Sequence, residues 1–115
     1  MDDADRSGII PLADAAARIP GPSGLHFASV LQRGTLRVLL SHPVRPNRQT
    51  PHAQDEVYVV ARGHGVLVHD GQRVPFQAGD LMFVAAGVEH HFADFSDDFA
   101  VWVVFYGPDG GEVPT

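Results

Sequence analysis

The chain has 115 residues, a net charge of −6 and no cysteine. That length allows one hydrophobic core, and the lack of cysteine excludes disulfides and thiolate ligands, so any bound metal must be held by nitrogen and oxygen. All eight basic residues are arginine, scattered without a basic stripe, which argues against nucleic acid and anionic membranes as partners.

Apolar residues make up 44% of the chain and turn residues recur regularly, the composition of a folded globular protein. The start, Met1-Asp2-Asp3-Ala4-Asp5-Arg6, is acidic and lacks an apolar core, so no signal peptide is expected. No apolar run approaches the length that spans a bilayer, and a cytoplasmic location is the expectation. Residues 1–8 read as a frayed leader. Pro11 to Arg18 reads as one or two helical turns, since proline suits a first helical position and the stretch is alanine-rich. Ile19-Pro20-Gly21-Pro22-Ser23-Gly24 ends it, so residues 1–24 form an N-terminal leader with a short helix.

From residue 25 the pattern changes to short strands divided by turn signals. They are expected at Leu25–Leu31, Thr35–His42, Glu56–Arg62, Val66–His69, Gln72–Phe76, Leu81–Ala85, His90–Phe95 and Phe99–Tyr106. Asp70-Gly71 is a tight hairpin signal, and Gly63-His64-Gly65 closes the third strand. The one long connection, Pro43 to Pro51, carries three prolines and two arginines, the composition of a loop at a site mouth. Many short strands without a strong helix imply an all-β sandwich or barrel over residues 25–106, followed by a tail over 107–115. The last strand is apolar on both faces, which points to burial within the monomer or to a subunit interface; a homodimer is the favoured expectation.

The chemistry is concentrated in Gln49 to Gly65. His52 and Glu56 lie four residues apart ahead of an apolar run, and His52, Glu56 and Tyr58 share a parity if the backbone stays extended. Imidazole nitrogen and carboxylate oxygen on one face are two thirds of a metal site. His90 and His91 are candidates for the third ligand; adjacent on a strand, they face opposite ways.

This stretch resembles the first motif of the cupin superfamily, in which a His-x-His pair precedes Glu, a strand and Gly: His52, Glu56 and Gly63 take those places. Gly79 to His90 is similar to the second motif, Gly-x5-Pro-x-Gly-x2-His, with Ala85 where proline is usual and His90 on the motif histidine. The resemblance implies a jelly-roll, or double-stranded β-helix, cupin barrel with a short N-terminal helical segment. It also implies a divalent transition metal (Fe, Mn, Ni, Co or Zn) on His52, Glu56 and His90, with His90 inward and His91 outward. The family's first histidine falls at Thr50, a poor ligand, so a two-histidine, one-carboxylate set with open positions remains.

Bland readings stand beside these. His52 and Glu56 are also a plausible plain ion pair of little consequence. His64 fits an exposed turn, and His69 and His26 fit the surface. Asp55 has the wrong parity for the metal and reads as a rim or hydrogen-bonding residue. Gln49, Thr50, His42 and Arg37 are candidates for an extra ligand or a pocket position. Tyr58 shares the face of Glu56, while Phe92 and Asp94 share that of His90. Tyr58 and Asp94 are therefore the candidate acid–base helpers, and Phe92 a pocket wall. Arg37 interrupts the run Leu36-Val38-Leu40 either as a solvated edge charge or as an anion anchor. The sequence leaves two functions open. One is an enzyme of dioxygenase or isomerase type acting on a small organic metabolite, and the other is a non-catalytic binding or sensing cupin, with or without metal.

Overall fold

The structure is a computed structural model and describes residues 7–115; the first six residues of the expected leader lie outside the described residues. A short helix α1 (Leu12–Ala16) leads into eight strands: β1 (Phe27–Arg33), β2 (Leu36–Ser41), β3 (Asp55–Arg62), β4 (His64–His69), β5 (Gln72–Gln77), β6 (Leu81–Val84), β7 (His90–Ala93) and β8 (Ala100–Tyr106). Each of the eight expected strands is present, with ends shifted by no more than two residues.

The strands form two antiparallel sheets, a five-stranded one in the order β1-β2-β8-β3-β6 and a three-stranded one in the order β5-β4-β7. The sheets face each other as an open jelly roll rather than a sealed barrel. Alternation decides what lies between them. From β8 the inner face is Val101, Val103 and Phe105; from β3 it is Tyr58 and Val60; the small sheet answers with Leu67, Phe76 and Phe92. This settles the ambiguous last strand. Its other face, Ala100 and Trp102, is apolar because α1 lies there: Ala15 and Ala16 pack with Leu40, Ala100 and Trp102 in a second small cluster. The N-terminal helix thus covers part of the face that the sequence alone left unassigned. Beyond its reach, Leu81 and Phe83 on β6 remain 66% and 52% exposed beside half-buried Val57 and Val59.

Two turns show the sequence acting directly on the path. Asp70 and Gly71 both take positive φ, the geometry of a tight hairpin between β4 and β5. Gly63 and Gly65 carry the chain from the large sheet to the small one. A Cβ on Gly65 would lie 2.8 Å from the Phe76 ring and 2.8 Å from the Phe95 Cβ.

Asp55, at the start of β3, holds two later segments in place. Its Oδ1 accepts the Ala86 N–H at 3.0 Å and its Oδ2 the Glu112 N–H at 2.9 Å. The Glu112 and Ala86 N–H groups hold the carboxyl below the usual aspartate range. The first bond fixes the connection that delivers His90.

Two outcomes are expected. Gly65→Ala should lower stability by about 2–3 kcal/mol through overpacking, against about 1 kcal/mol for Gly71→Ala, where only the positive φ is strained; urea midpoints that fall equally would refute the close contact. A carboxyl whose pKa is depressed on folding stabilises fully above its ordinary value and loses that effect as pH falls through the folded value. Asp55→Asn should therefore melt lower than wild type at pH 7, and the gap should begin to narrow as pH falls below about 4. A gap of the same size at pH 7 and pH 3 would show that charge is not what ties these segments.

Candidate metal centre

Glu56 is the second residue of β3, and its parity sends it inward. Register places it in one row across the large sheet, Arg37–Phe105–Glu56–Val84. Its side chain is 2% exposed, and its Oε1 lies 3.0 Å from His90 Nε2 and 3.6 Å from His52 Nε2. The three residues form a group whose ligand atoms all lie within 4.8 Å of one another.

Each imidazole arrives by a different route. His90 begins β7 and points inward with 5% exposure, while His91 is exposed. His52 is not on a strand. The chain bends at Ala53 and Gln54, so the extended parity that would align His52 with Glu56 does not apply. A loop delivers His52 instead, held by the Gly87 N–H on its carbonyl at 2.8 Å and by an edge contact of its ring with Phe105 at 4.8 Å.

The donor chemistry fits a cation. His90 Nδ1 donates to the Val88 carbonyl at 2.9 Å, so Nε2 keeps its lone pair and aims it at Glu56. Glu56 Oε1 is buried, its close neighbours are the two imidazoles, and no group among the described residues meets it in hydrogen-bond geometry. A buried unsatisfied polar group costs about 1–3 kcal/mol, more when charged. Two ligand bonds of about 2.1 Å bring their ends about 3.0 Å apart at a right angle and about 3.4 Å apart at the tetrahedral angle, so the pairs at 3.0 and 3.6 Å are close enough to share one ion, while the group as a whole spans up to 4.8 Å and would draw in slightly around it.

Electrostatics separates the two histidines. For His90, burial opposes the charged form, but the Glu56 carboxylate and Val88 carbonyl outweigh it and raise the pKa. For His52, burial prevails over the attraction of Glu56, and the repulsion of His90 and Arg37 adds to it, so the pKa falls. Tyr58 is buried against Glu56, which pushes its phenol far up; it stays protonated and donates to Gln49 Oε1 at 3.2 Å, with its oxygen 3.0 Å from His90 Nε2.

A cavity of about 330 Å³ opens beside the group, lined by His52, Glu56, Tyr58, Phe92 and Phe105 and by Arg48, Gln49 and Thr50 of the long loop. Gln49, Thr50 and Phe92 thus lie at the cavity, as does Tyr58, a fixed hydrogen-bond donor rather than a base. Three candidates do not line it. Arg37 is exposed and lies over the Phe105 ring, 4.7 Å from its centre. The other two lie farther off. His42 contacts the Arg62 guanidinium at 2.9 Å, and burial together with Arg62 lowers its pKa. Asp94 follows the end of β7 with a positive φ of 50°, which breaks the alternation; its side chain is 74% exposed and pairs with Arg73 at 2.7 Å. Neither belongs to the group around Glu56. His64 is exposed, as expected, although it opens β4 rather than sitting in the turn.

Sequence reasoning missed Asn47. Its Oδ1 accepts the Phe92 N–H at 2.9 Å and the Gln49 side-chain amide at 2.8 Å, clamping the proline-rich loop onto β7 at the cavity. An asparagine inside such a loop was the only signal.

A protein of Streptomyces coelicolor without an assigned function is 41% identical over 61 residues, which span 53% of this chain and 58% of that relative. Among solved structures, a Cupin 2 conserved barrel domain protein from Salinispora arenicola matches with a TM-score of 0.67 at 21% identity, covering 88% of this chain and 89% of that one. The FeII form of HppE in complex with substrate matches with a TM-score of 0.61 at 18% identity, over 76% of this chain and 56% of that one. At these identities the structural likeness shows the fold. The model of the cupin domain matches residues 42–106, more than half of the sequence and the span that holds all three members of the centre, and so this chain belongs to the cupin family.

Proposed function

We propose that the protein holds a divalent transition metal on His52, Glu56 and His90 and acts on a small organic metabolite in the adjoining cavity. The observation that carries this reading is Glu56 Oε1, buried and unpartnered, with two imidazole Nε2 atoms turned toward it. Nitrogen and oxygen donors in a two-histidine, one-carboxylate set suit Fe, Mn, Co, Ni or Zn, and the likeness to the FeII form of HppE favours the same class. A metal so held supplies Lewis acidity at its open positions, or dioxygen activation if it is iron.

The chain's own residues supply the rest. Val88 fixes the His90 tautomer, Tyr58 keeps Gln49 in place, and Phe92 and Phe105 exclude water from the cavity walls. A second reading, a non-catalytic binding or sensing cupin, rests on a specific finding: Tyr58 remains protonated and Asp94 lies outside, so no general base beyond the ligand set faces the cavity among the described residues. Conversion of a small acid, phenol or sugar, followed as oxygen uptake or product, decides for the enzyme; binding of the same compounds without conversion decides for the sensor.

A homodimer belongs to this reading as well. The apolar face left open by α1, with Leu81 and Phe83 at its centre and Val57 and Val59 beside them, suits a second copy packed sheet to sheet.

Cobalt(II) titrated into metal-free protein without a histidine tag should give the visible band of a nitrogen/oxygen site. His90→Ala should weaken binding by about 100-fold or more, and His91→Ala should leave it unchanged. No band in wild type, or the reverse order of the two variants, would end the metal reading. Light scattering should give twice the 12.4 kDa chain mass for wild type and the single mass for Phe83→Asp; a wild-type monomer would refute the dimer.

A further inference from the structure

Arg37 lies in the same row as Glu56, two strands away, with Phe105 between them. Neighbouring strands are about 4.8 Å apart, so the two backbones are separated by about 10 Å. The Arg37 guanidinium sits over the Phe105 ring, 4.7 Å from its centre, and Phe105 in turn lines the cavity and touches the His52 ring. Arg37 is exposed and does not itself line the cavity; the ring contact sets its charge against the Phe105 wall of that cavity.

Most other described arginines are engaged. Arg45 pairs with Asp97 at 3.0 Å, Arg73 with Asp94 at 2.7 Å, Arg62 meets His42, and Arg18 donates to the Ser29 carbonyl at 2.9 Å. Arg37 forms no ion pair with a carboxylate among the described residues, although acidic groups outnumber basic ones fourteen to eight in the chain. Arg48, which lines the same cavity from the long loop, likewise has no carboxylate partner among them.

The charge balance of the centre points the same way. A divalent ion with one carboxylate and two neutral imidazoles keeps one positive charge. At the far side of the Phe105 ring Arg37 adds a second. A neutral ligand would satisfy neither, and a monoanion bound at the metal alone would leave the guanidinium unused.

We propose that the cavity takes a short dicarboxylic acid, one carboxylate directed to the metal centre and the other paired with Arg37 across the Phe105 ring. Arg37 is thereby the residue that determines specificity. The ring sets the spacing between the two ends, and the planar guanidinium receives the carboxylate through two parallel N–H donors. This inference rests on the metal reading of His52, Glu56 and His90.

Calorimetry on the cobalt(II)-loaded protein tests it with succinate, its monoamide succinamate, and acetate. Succinate should bind about tenfold or more tighter than succinamate or acetate. Arg37→Gln should remove that advantage while leaving succinamate unchanged, Arg37→Lys should restore part of it, and Arg73→Gln, which touches only the surface pair, should change nothing. Equal binding of succinate and succinamate by wild type overturns the proposal, and so does Arg37→Gln that keeps the preference or weakens all three ligands alike. A cobalt band with no preference for succinate removes this inference alone. Absence of the band removes the metal reading and this inference with it.

Discussion

The structure turns on one oxygen. Glu56 Oε1 is buried where neither water nor an aligned donor reaches it, and two imidazole nitrogens aim at the same point. Three electron-rich atoms brought together in an apolar interior repel one another unless a proton or a cation lies among them. The raised pKa of His90 is the proton's answer to that constraint. A divalent cation answers it better, because one charge meets all three atoms at once. The neighbouring structure is arranged so that the cluster cannot relax. Val88 occupies the other nitrogen of His90, Gly87 and Phe105 hold His52, and Glu56 is locked by strand register between Phe105 and Val84.

That rigidity comes from where the pieces are anchored. Glu56 sits on the large sheet and His90 on the small one, so the centre bridges the two layers of the jelly roll. The gap between layers is set by the core, in which Phe76, Phe92 and Phe99 contact one another with ring centres 4.9–5.8 Å apart. Gly65 belongs to this logic, because the Phe76 and Phe95 side chains fill the space its Cβ would take. Packing far from Glu56 therefore controls the distance between its carboxylate and His90. Asp55 adds a second control by tying the turn before β7 to the start of β3.

The strands were readable because alternation and turn chemistry are local; alternation also set His90 and His91 on opposite faces, while the choice of His90 as the inward one came from the resemblance to the second motif. The resemblance to the two motifs pointed to His52, Glu56 and His90, the three residues that the fold brings together. Where reading failed, the cause was a departure from regular backbone. His52 reaches the centre through a bend, so its parity with Glu56 carried no information. Asp94 was assigned to the face of His90, but β7 ends at Ala93 and a positive φ turns the next side chain outward. The doubly apolar β8 was ambiguous because the covering element, α1, lies more than eighty residues earlier in the chain. Asn47 was invisible for a related reason: its partners are the backbone of β7 and a loop side chain, and no periodicity encodes either.

Thr50 shows how the departure from the family pattern bears on chemistry. A neutral imidazole carries no net charge, so replacing the first histidine of the motif leaves the charge of the centre as it was. What changes is room and coordination. Thr50 is exposed and lines the cavity, and the position an imidazole would have filled faces that space. A cation held by only three protein atoms must complete its shell from the cavity side, with water or with ligand oxygen. The one remaining positive charge of such a centre then favours an anionic oxygen over a neutral one. Loss of a ligand would thus move selectivity from the metal's own shell to the residues that ring the cavity and to Arg37, whose guanidinium lies over the Phe105 ring of its wall.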